Sequence, residues 1–249
     1  MKVDQTKKLV AKEKLLDILA ARYCALAFLK RAFLEEPTKE YLELLTEGDI
    51  LAYFPEVGDD ALLKSGYEAL SFYLRDPGLL TKDSVKKLGA EYLALFIGPE
   101  KLGAAPYESV YRSARPLVFQ EHTMEVRAEY AKHGLIPERF QQEPDDHISL
   151  ELDFMLRLVE KTMADIRAKR YSKARKLMQS QKSFMTDHVM KWVPAFSAKV
   201  IDSAKTDFYR GIGKMLIGYL KIDQALIDGL AKELDARAKQ ERAKRLVSV

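Results

Sequence analysis

The chain has one cysteine, Cys24, in 249 residues. No disulfide can form within it, which fits a reducing compartment. Cys24 lies in an apolar helical stretch and reads as a small core residue rather than a reactive thiol. Proline and glycine are scarce, nine and twelve, which argues against a loop-rich or all-β protein. Charge of one sign is scarce too. The formal net charge is +4, spread along the chain, without the single basic patch that nucleic-acid binding needs. No apolar run approaches the roughly 20 residues needed to span a bilayer. Residues 1–14 carry five lysines but no apolar segment of the secretory type. The expectation is a protein of the cytoplasm with no stable membrane insertion and no nucleic-acid partner.

What is abundant is apolar residues at helical spacing. At 47% hydrophobic content the chain can bury a core. Helices are expected over residues 4–35, 38–54 with Thr38 as cap, 60–75 and 81–97. An irregular stretch follows at 98–115. Pro116 opens a fifth helix that Gly134 closes. After Pro144 comes a helix with two opposed apolar stripes, Ile148, Leu152, Met155, Val159, Met163, Ile166 and Leu150, Phe154, Leu158. Two stripes describe a helix covered on both sides, the centre of a bundle, with Asp145 or Asp146 as its cap. Another helix covers 173–192, and Pro194 restarts the chain for a short one to 203. Residues 206–220 tolerate Gly211, Gly213 and Gly218 in a helical pattern, which points to close helix packing. A last segment runs from 223 and frays into solvent as a basic tail from about 236. The fold class is all-α, a single-domain helical bundle of about nine or ten helices spanning 1–249.

Motifs for catalysis are mostly missing. There is no GxGxxG, GxSxG, CxxC or HExxH. Gly211-Ile212-Gly213-Lys214 lacks the first glycine of a phosphate loop, where Phe208 stands, and sits in a helix. His147 and Glu151 are one helical turn apart, yet the paired Glu-x-x-His motifs of a di-iron bundle are absent. Neither a metal nor a catalytic residue is therefore assigned. The densest polar cluster is Glu143-Pro144-Asp145-Asp146-His147. It reads as a helix N-terminal cap, or as acids that receive a cationic ligand in bidentate fashion. Pro106-Tyr107-Glu108-Ser109-Val110-Tyr111-Arg112 reads as a packed connection or as a functional loop.

Four stretches in order resemble the TorD/DmsD family of redox-enzyme maturation chaperones, which includes relatives of the nitrate reductase delta subunit. They are Glu91-Tyr92-Leu93-Ala94-Leu95-Phe96-Ile97-Gly98-Pro99, then Pro106-Tyr107-Glu108-Ser109-Val110-Tyr111, then Glu143 to His147 with Glu151-Leu152-Asp153-Phe154-Met155, and lastly Phe184, His188, Trp192 and Phe196. One aspartate more than the simplest family pattern precedes His147, and Asp146 is the one taken to correspond. The resemblance implies a non-enzymatic chaperone of the cytoplasm, monomeric or dimeric by helix exchange. It would bind the twin-arginine leader, the apo form, or both, of a molybdopterin-dependent oxidoreductase catalytic subunit precursor, supporting cofactor insertion and delaying export. It implies no cofactor, with a guanine nucleotide as a weak ligand of some members. The peptide-binding residues it implies are Gly98, Pro99, Pro106, Tyr107, Ser109, Tyr111, Asp146, His147 and Glu151. Tyr107 and Tyr111 would line a groove, Ser109 bond peptide backbone, Asp146 or Glu151 meet an arginine, and His147 fix the geometry. The expected result of replacing Asp146 and His147 by alanine is weaker leader binding without unfolding. The alternatives are an assembly factor on the enzyme body, as in the nitrate reductase delta branch, and a nucleotide-dependent helical enzyme.

Overall fold

Helix boundaries follow local chemistry closely. The computed structural model describes residues 10–48, 54, 60–98, 101–113, 118, 121–136 and 143–247. Helix α1 (Lys12–Leu34) turns Leu15, Leu19, Leu26, Leu29 and Phe33 inward at spacings of three, four and seven. Helix α2 (Lys39–Glu47) starts where the Thr38 hydroxyl accepts the Tyr41 N–H at 3.2 Å. The Asp60 carboxylate does the same for α3 (Ala61–Leu74), accepting the N–H groups of Leu62 and Leu63 at 2.8 and 2.9 Å. Thr81 caps α4 (Lys82–Tyr92), which passes into a π-helical turn, Leu93–Ile97. A five-residue helix, α5 (Glu108–Arg112), and α6 (Glu121–Lys132) follow, and Gly134 takes φ +63° just beyond. The expected start of that helix at Pro116 lies outside the described residues, as do the first residues of the chain and the end of the second expected helix.

Helix α7 (Ile148–Arg167) is the centre. Fourteen of its twenty residues are buried, so both of its apolar stripes are covered, by α1 on one side and α8 (Tyr171–Phe184) on the other. After α8 come a second π-helical turn, Met185–Val189, and α9 (Met190–Ser203), in one unbroken run. The expected restart at Pro194 is corrected: the proline is carried inside α9. An internal proline costs about 3 kcal/mol. Trp192, Val193 and Phe196 around it are fully buried, and each such side chain contributes about 1.5–3 kcal/mol, enough to hold the run together.

Helix α10 (Asp207–Val247) is a single helix of 41 residues, about 60 Å long at 1.5 Å per residue. It replaces the two C-terminal segments read from the sequence. Ile222, Asp223 and Leu226 continue the buried face across the expected gap, and Leu234 and Ala238 are still buried beyond it. Glu241 accepts the Ser172 N–H at 3.0 Å, so α10 still meets α8 at residue 241, within the segment expected to fray. α10 lies mainly against α3, α8 and α9. The α3 seam is closed by glycine: a Cβ on Gly66 would lie 2.7 Å from the Gly211 carbonyl oxygen, and one on Gly218 would lie 2.6 Å from the Leu63 nitrogen. The glycines expected to mark close packing do so.

Two buried polar devices tie the bundle. Arg22 on α1 forms a two-armed pair with Asp223 on α10 at 2.6 and 3.0 Å and donates to Gln181 on α8 at 2.8 Å; Gln181 donates to Thr162 on α7. The Glu91 carboxylate accepts the N–H groups of Lys205 and Thr206 at 2.6 and 2.9 Å, which satisfies donors at the start of α10 from α4. Cys24 is half-buried on α1, less enclosed than a core residue. Burial pushes its thiol up, away from reactivity.

Candidate functional site

The irregular stretch after α4 is ordered by carbonyls that the helix end leaves free. Gly98 donates to the Leu93 carbonyl at 2.7 Å, Gly103 to Ala94 at 3.2 Å and Ala104 to Leu95 at 2.9 Å. The chain then runs antiparallel to the approach of α7. Ile148 N–H donates to the Pro106 carbonyl at 2.9 Å, Glu108 N–H donates to the Asp146 carbonyl at 3.0 Å, and Tyr107 faces His147 between them. Two stretches nearly forty residues apart in sequence become one seam.

Most of the carboxylates in the seam have partners that explain their placement. Asp146 is fully buried. One carboxylate oxygen accepts the Ser109 N–H at 2.8 Å and the other accepts the Thr123 hydroxyl at 2.9 Å, fastening α5 and α6 to the start of α7. The Asp145 carboxylate pairs with Arg127, and its carbonyl accepts the Tyr130 hydroxyl at 2.8 Å. Both aspartates are thus drawn away from α7. The helix is capped by His147 instead, whose Nδ1 accepts the Ser149 N–H at 3.1 Å. This corrects the expected Asp145 or Asp146 cap. It also makes Asp146 an internal fastener, with each carboxylate oxygen already holding one donor. The Tyr107 hydroxyl donates to Glu143 at 2.6 Å. Burial, and then that carboxylate, push the phenol up. Tyr111 packs on Trp192 at 5.5 Å between ring centres, and the Lys199 ammonium lies 4.7 Å from the Tyr111 ring centre.

Beneath the seam lies an acid pair that spacing alone did not single out. Glu108 and Glu151 are both fully buried. Glu108 is held by His188 Nδ1 at 3.1 Å and by Arg112. Glu151 accepts the Trp192 indole N–H at 3.1 Å with one oxygen, and the other has no donor. Burial first, and the neighbouring Glu108 carboxylate second, hold the Glu151 carboxyl well above the usual carboxylate range, against the pull of the indole N–H. His188 reaches the pair from the second π-helical turn and stacks on Phe184 at 4.9 Å. Phe184, His188, Trp192 and Phe196 therefore form the wall behind the seam.

Of the residues read from the sequence, Pro106, Tyr107, Ser109, Asp146, His147 and Glu151 come together, and Tyr111 sits one turn along α5. Gly98 closes the first π-helical turn, beside the exposed Leu93 and Ile97. Pro99 lies outside the described residues. Glu108, Arg112 and Thr123 were missed. The Glu108–Arg112 spacing of four is an acid–base helix pair and was the available signal. Among the described residues no group of three His, Cys, Asp or Glu side chains could hold a metal ion, and no helix is long and apolar enough to cross a membrane.

The chain is similar to the chaperone protein TorD of Vibrio atlanticus, 28% identical over 206 residues, covering 81% of this chain and 92% of that protein. It is similar to TorD of Vibrio parahaemolyticus, 26% identical over 200 residues, covering 79% and 90%. A solved structure from Archaeoglobus fulgidus, described as a candidate redox enzyme maturation protein, aligns over 87% of this chain and 99% of that one at 18% identity and a TM-score of 0.41. The family model described as nitrate reductase delta subunit matches residues 60–198, from the start of α3 into α9 and across the whole seam. The chain belongs to the nitrate reductase delta subunit family.

Proposed function

We propose that this chain is a non-enzymatic maturation chaperone of the cytoplasm, a single domain that needs no bound cofactor and holds a molybdopterin-dependent oxidoreductase precursor until its cofactor is in place. The observation that carries the reading is similarity to TorD chaperones over about four-fifths of the chain, together with a seam built from the stretches that carry the resemblance. The ligand would be the twin-arginine leader of the catalytic subunit. A leader presents two arginines and then an apolar run. The seam supplies buried acids, a rim of Tyr107 and Tyr111, and exposed apolar side chains nearby at Leu93, Ile97 and Met124. Apolar burial would provide most of the affinity, at about 25 cal/mol per Å². Exposed ion pairs contribute about 0–1 kcal/mol.

The test is capture of the tagged protein from cells making molybdoenzymes, with co-eluting chains identified by mass spectrometry. A molybdoenzyme catalytic subunit that retains its leader is the expected partner, and its absence counts against the reading. The delta-subunit family model favours a second mode, attachment to the enzyme body. Truncating the leader separates the two: the complex survives truncation only in the body-binding mode.

A further inference from the structure

We propose that Arg112 is a built-in plug, and that an arginine of the bound partner takes its place on the buried Glu108–Glu151 carboxyl pair. The identity of the partner rests on the function proposed above; the guanidinium site does not.

The pair is enclosed on its inner side. Trp192 occupies one oxygen of Glu151 and His188 one oxygen of Glu108, and both of these partners are themselves buried. Arg112 is the partner that reaches solvent: its side chain is 23% exposed, against 0% for Glu108. It stands on a five-residue helix, and one nitrogen serves both Glu108 and the Asp187 carbonyl. A guanidinium carries five N–H donors in a fork that fits carboxylates two at a time. Arg112 meets the pair with one prong, and Glu151 keeps an oxygen with no donor. A guanidinium that takes the place of Arg112 and presents two prongs would meet both acids. Burial and Glu108 push the Glu151 carboxyl well above the usual carboxylate range, and the proton it holds would leave to solvent as the second acid ionises. The displaced Arg112 has somewhere to go. Glu125 on α6 is largely exposed, lies within the field of Arg112, and is held below the usual carboxylate range, chiefly by its hydrogen bond to His122. The site therefore selects arginine over lysine, because a point charge cannot bridge two carboxyls with parallel hydrogen bonds.

The experiment uses the full chain with Arg112→Ala and two probes. The first is guanidinium chloride at low millimolar concentration, against sodium chloride of equal ionic strength. The melting temperature of Arg112→Ala should rise with guanidinium and not with sodium, whereas wild type should not respond. The second is a synthetic peptide with two adjacent arginines before an apolar run, and its double-lysine counterpart. Arg112→Ala should bind the arginine peptide about tenfold more tightly than wild type, with no gain for the lysine peptide. Adding Glu108→Gln should remove the gain. Rescue by guanidinium without peptide binding would keep the site and sink the leader as its ligand. Absence of guanidinium-specific rescue in a variant with native circular dichroism overturns the proposal. If Arg112→Ala does not fold, Arg112→Gln is measured the same way.

Discussion

Alanine placed at two glycines of the same bundle should change stability in one direction, and alanine at a third in the other. In a helix interior, alanine is favoured over glycine by about 1 kcal/mol. At Gly229, on the exposed side of α10, a Cβ meets nothing within 4 Å, so Gly229→Ala should stabilise by up to about 1 kcal/mol. At Gly66 the same methyl would lie 2.7 Å from the Gly211 carbonyl oxygen and 2.8 Å from the Met215 nitrogen. At Gly211 it would lie 2.9 Å from the Gly66 carbonyl oxygen and 3.0 Å from the Leu70 nitrogen. These obstacles are backbone, not flexible side chain, so the two helices must move apart along the seam. With backbone on both sides, the overpacking cost lies at the upper end of about 1–3 kcal/mol, which outweighs the helical preference of about 1 kcal/mol and leaves a net loss near 2 kcal/mol. For a chain of this size that corresponds to roughly 4–8 °C in melting temperature. Urea titration followed by far-UV circular dichroism measures both signs. The double variant Gly66→Ala/Gly211→Ala should lose less than the sum, because one methyl already opens the gap. If Gly66→Ala is as stable as wild type, or moves with Gly229→Ala, the close-approach argument fails.

Asp146→Ala should destabilise by about 2–5 kcal/mol, since the Ser109 N–H and the Thr123 hydroxyl both lose their acceptor inside the protein; a urea midpoint unchanged from wild type would contradict the fastener role. Arg22→Ala should cost about 3–5 kcal/mol by leaving Asp223 buried and unpaired, whereas the joint change Arg22→Met/Asp223→Leu should cost much less, as read by the same titration. Glu151 contributes a pH dependence. Its folded-state value lies above its unfolded one, so the folded protein binds the extra proton, and stability falls as pH rises from the ordinary carboxylate range towards the raised value, by at most about 1.4 kcal/mol per pH unit. Glu151→Gln removes that proton, and its urea midpoint should be flatter over the same range. A slope equal to that of wild type would place the proton elsewhere.

The bundle itself was legible because its signals are local. Thr38 and Asp60 sit where a cap oxygen reaches the next N–H groups, and the two stripes of α7 follow from the helical period alone. Gly211 and Gly218 announced a close approach without naming the partner, since nothing in a sequence says that Gly66 faces them. Boundaries failed where tertiary contacts decide. Burial of Trp192 and Phe196 carries a helix through Pro194, and contact with α8 holds the far end of α10, whose composition reads as solvated. The site was legible as stretches, not as roles. Asp146 and His147 were both placed at the seam, yet which one caps α7 depends on Ser109 and Thr123, residues that lie 37 and 23 positions away. The Glu108–Glu151 pair needed the fold outright, because only the meeting of α5 and α7 puts the two carboxyls side by side.

The α3–α10 seam also bears on how the protein is made. Its partners are far apart in sequence: Lys214 donates to Ser65 across 149 positions. A ribosome delivers α3 long before α10 exists, so the apolar face with Leu63 and Leu70 leaves the exit tunnel with nothing to cover it. Contacts of such long range also slow folding, because a large loop must close before they repay its entropy. Nascent chains arrested before residue 207 should expose that face and associate with general holdases, and release should come only as the long helix emerges. A protein proposed to shelter the unfinished state of another thus passes through an unfinished state of its own.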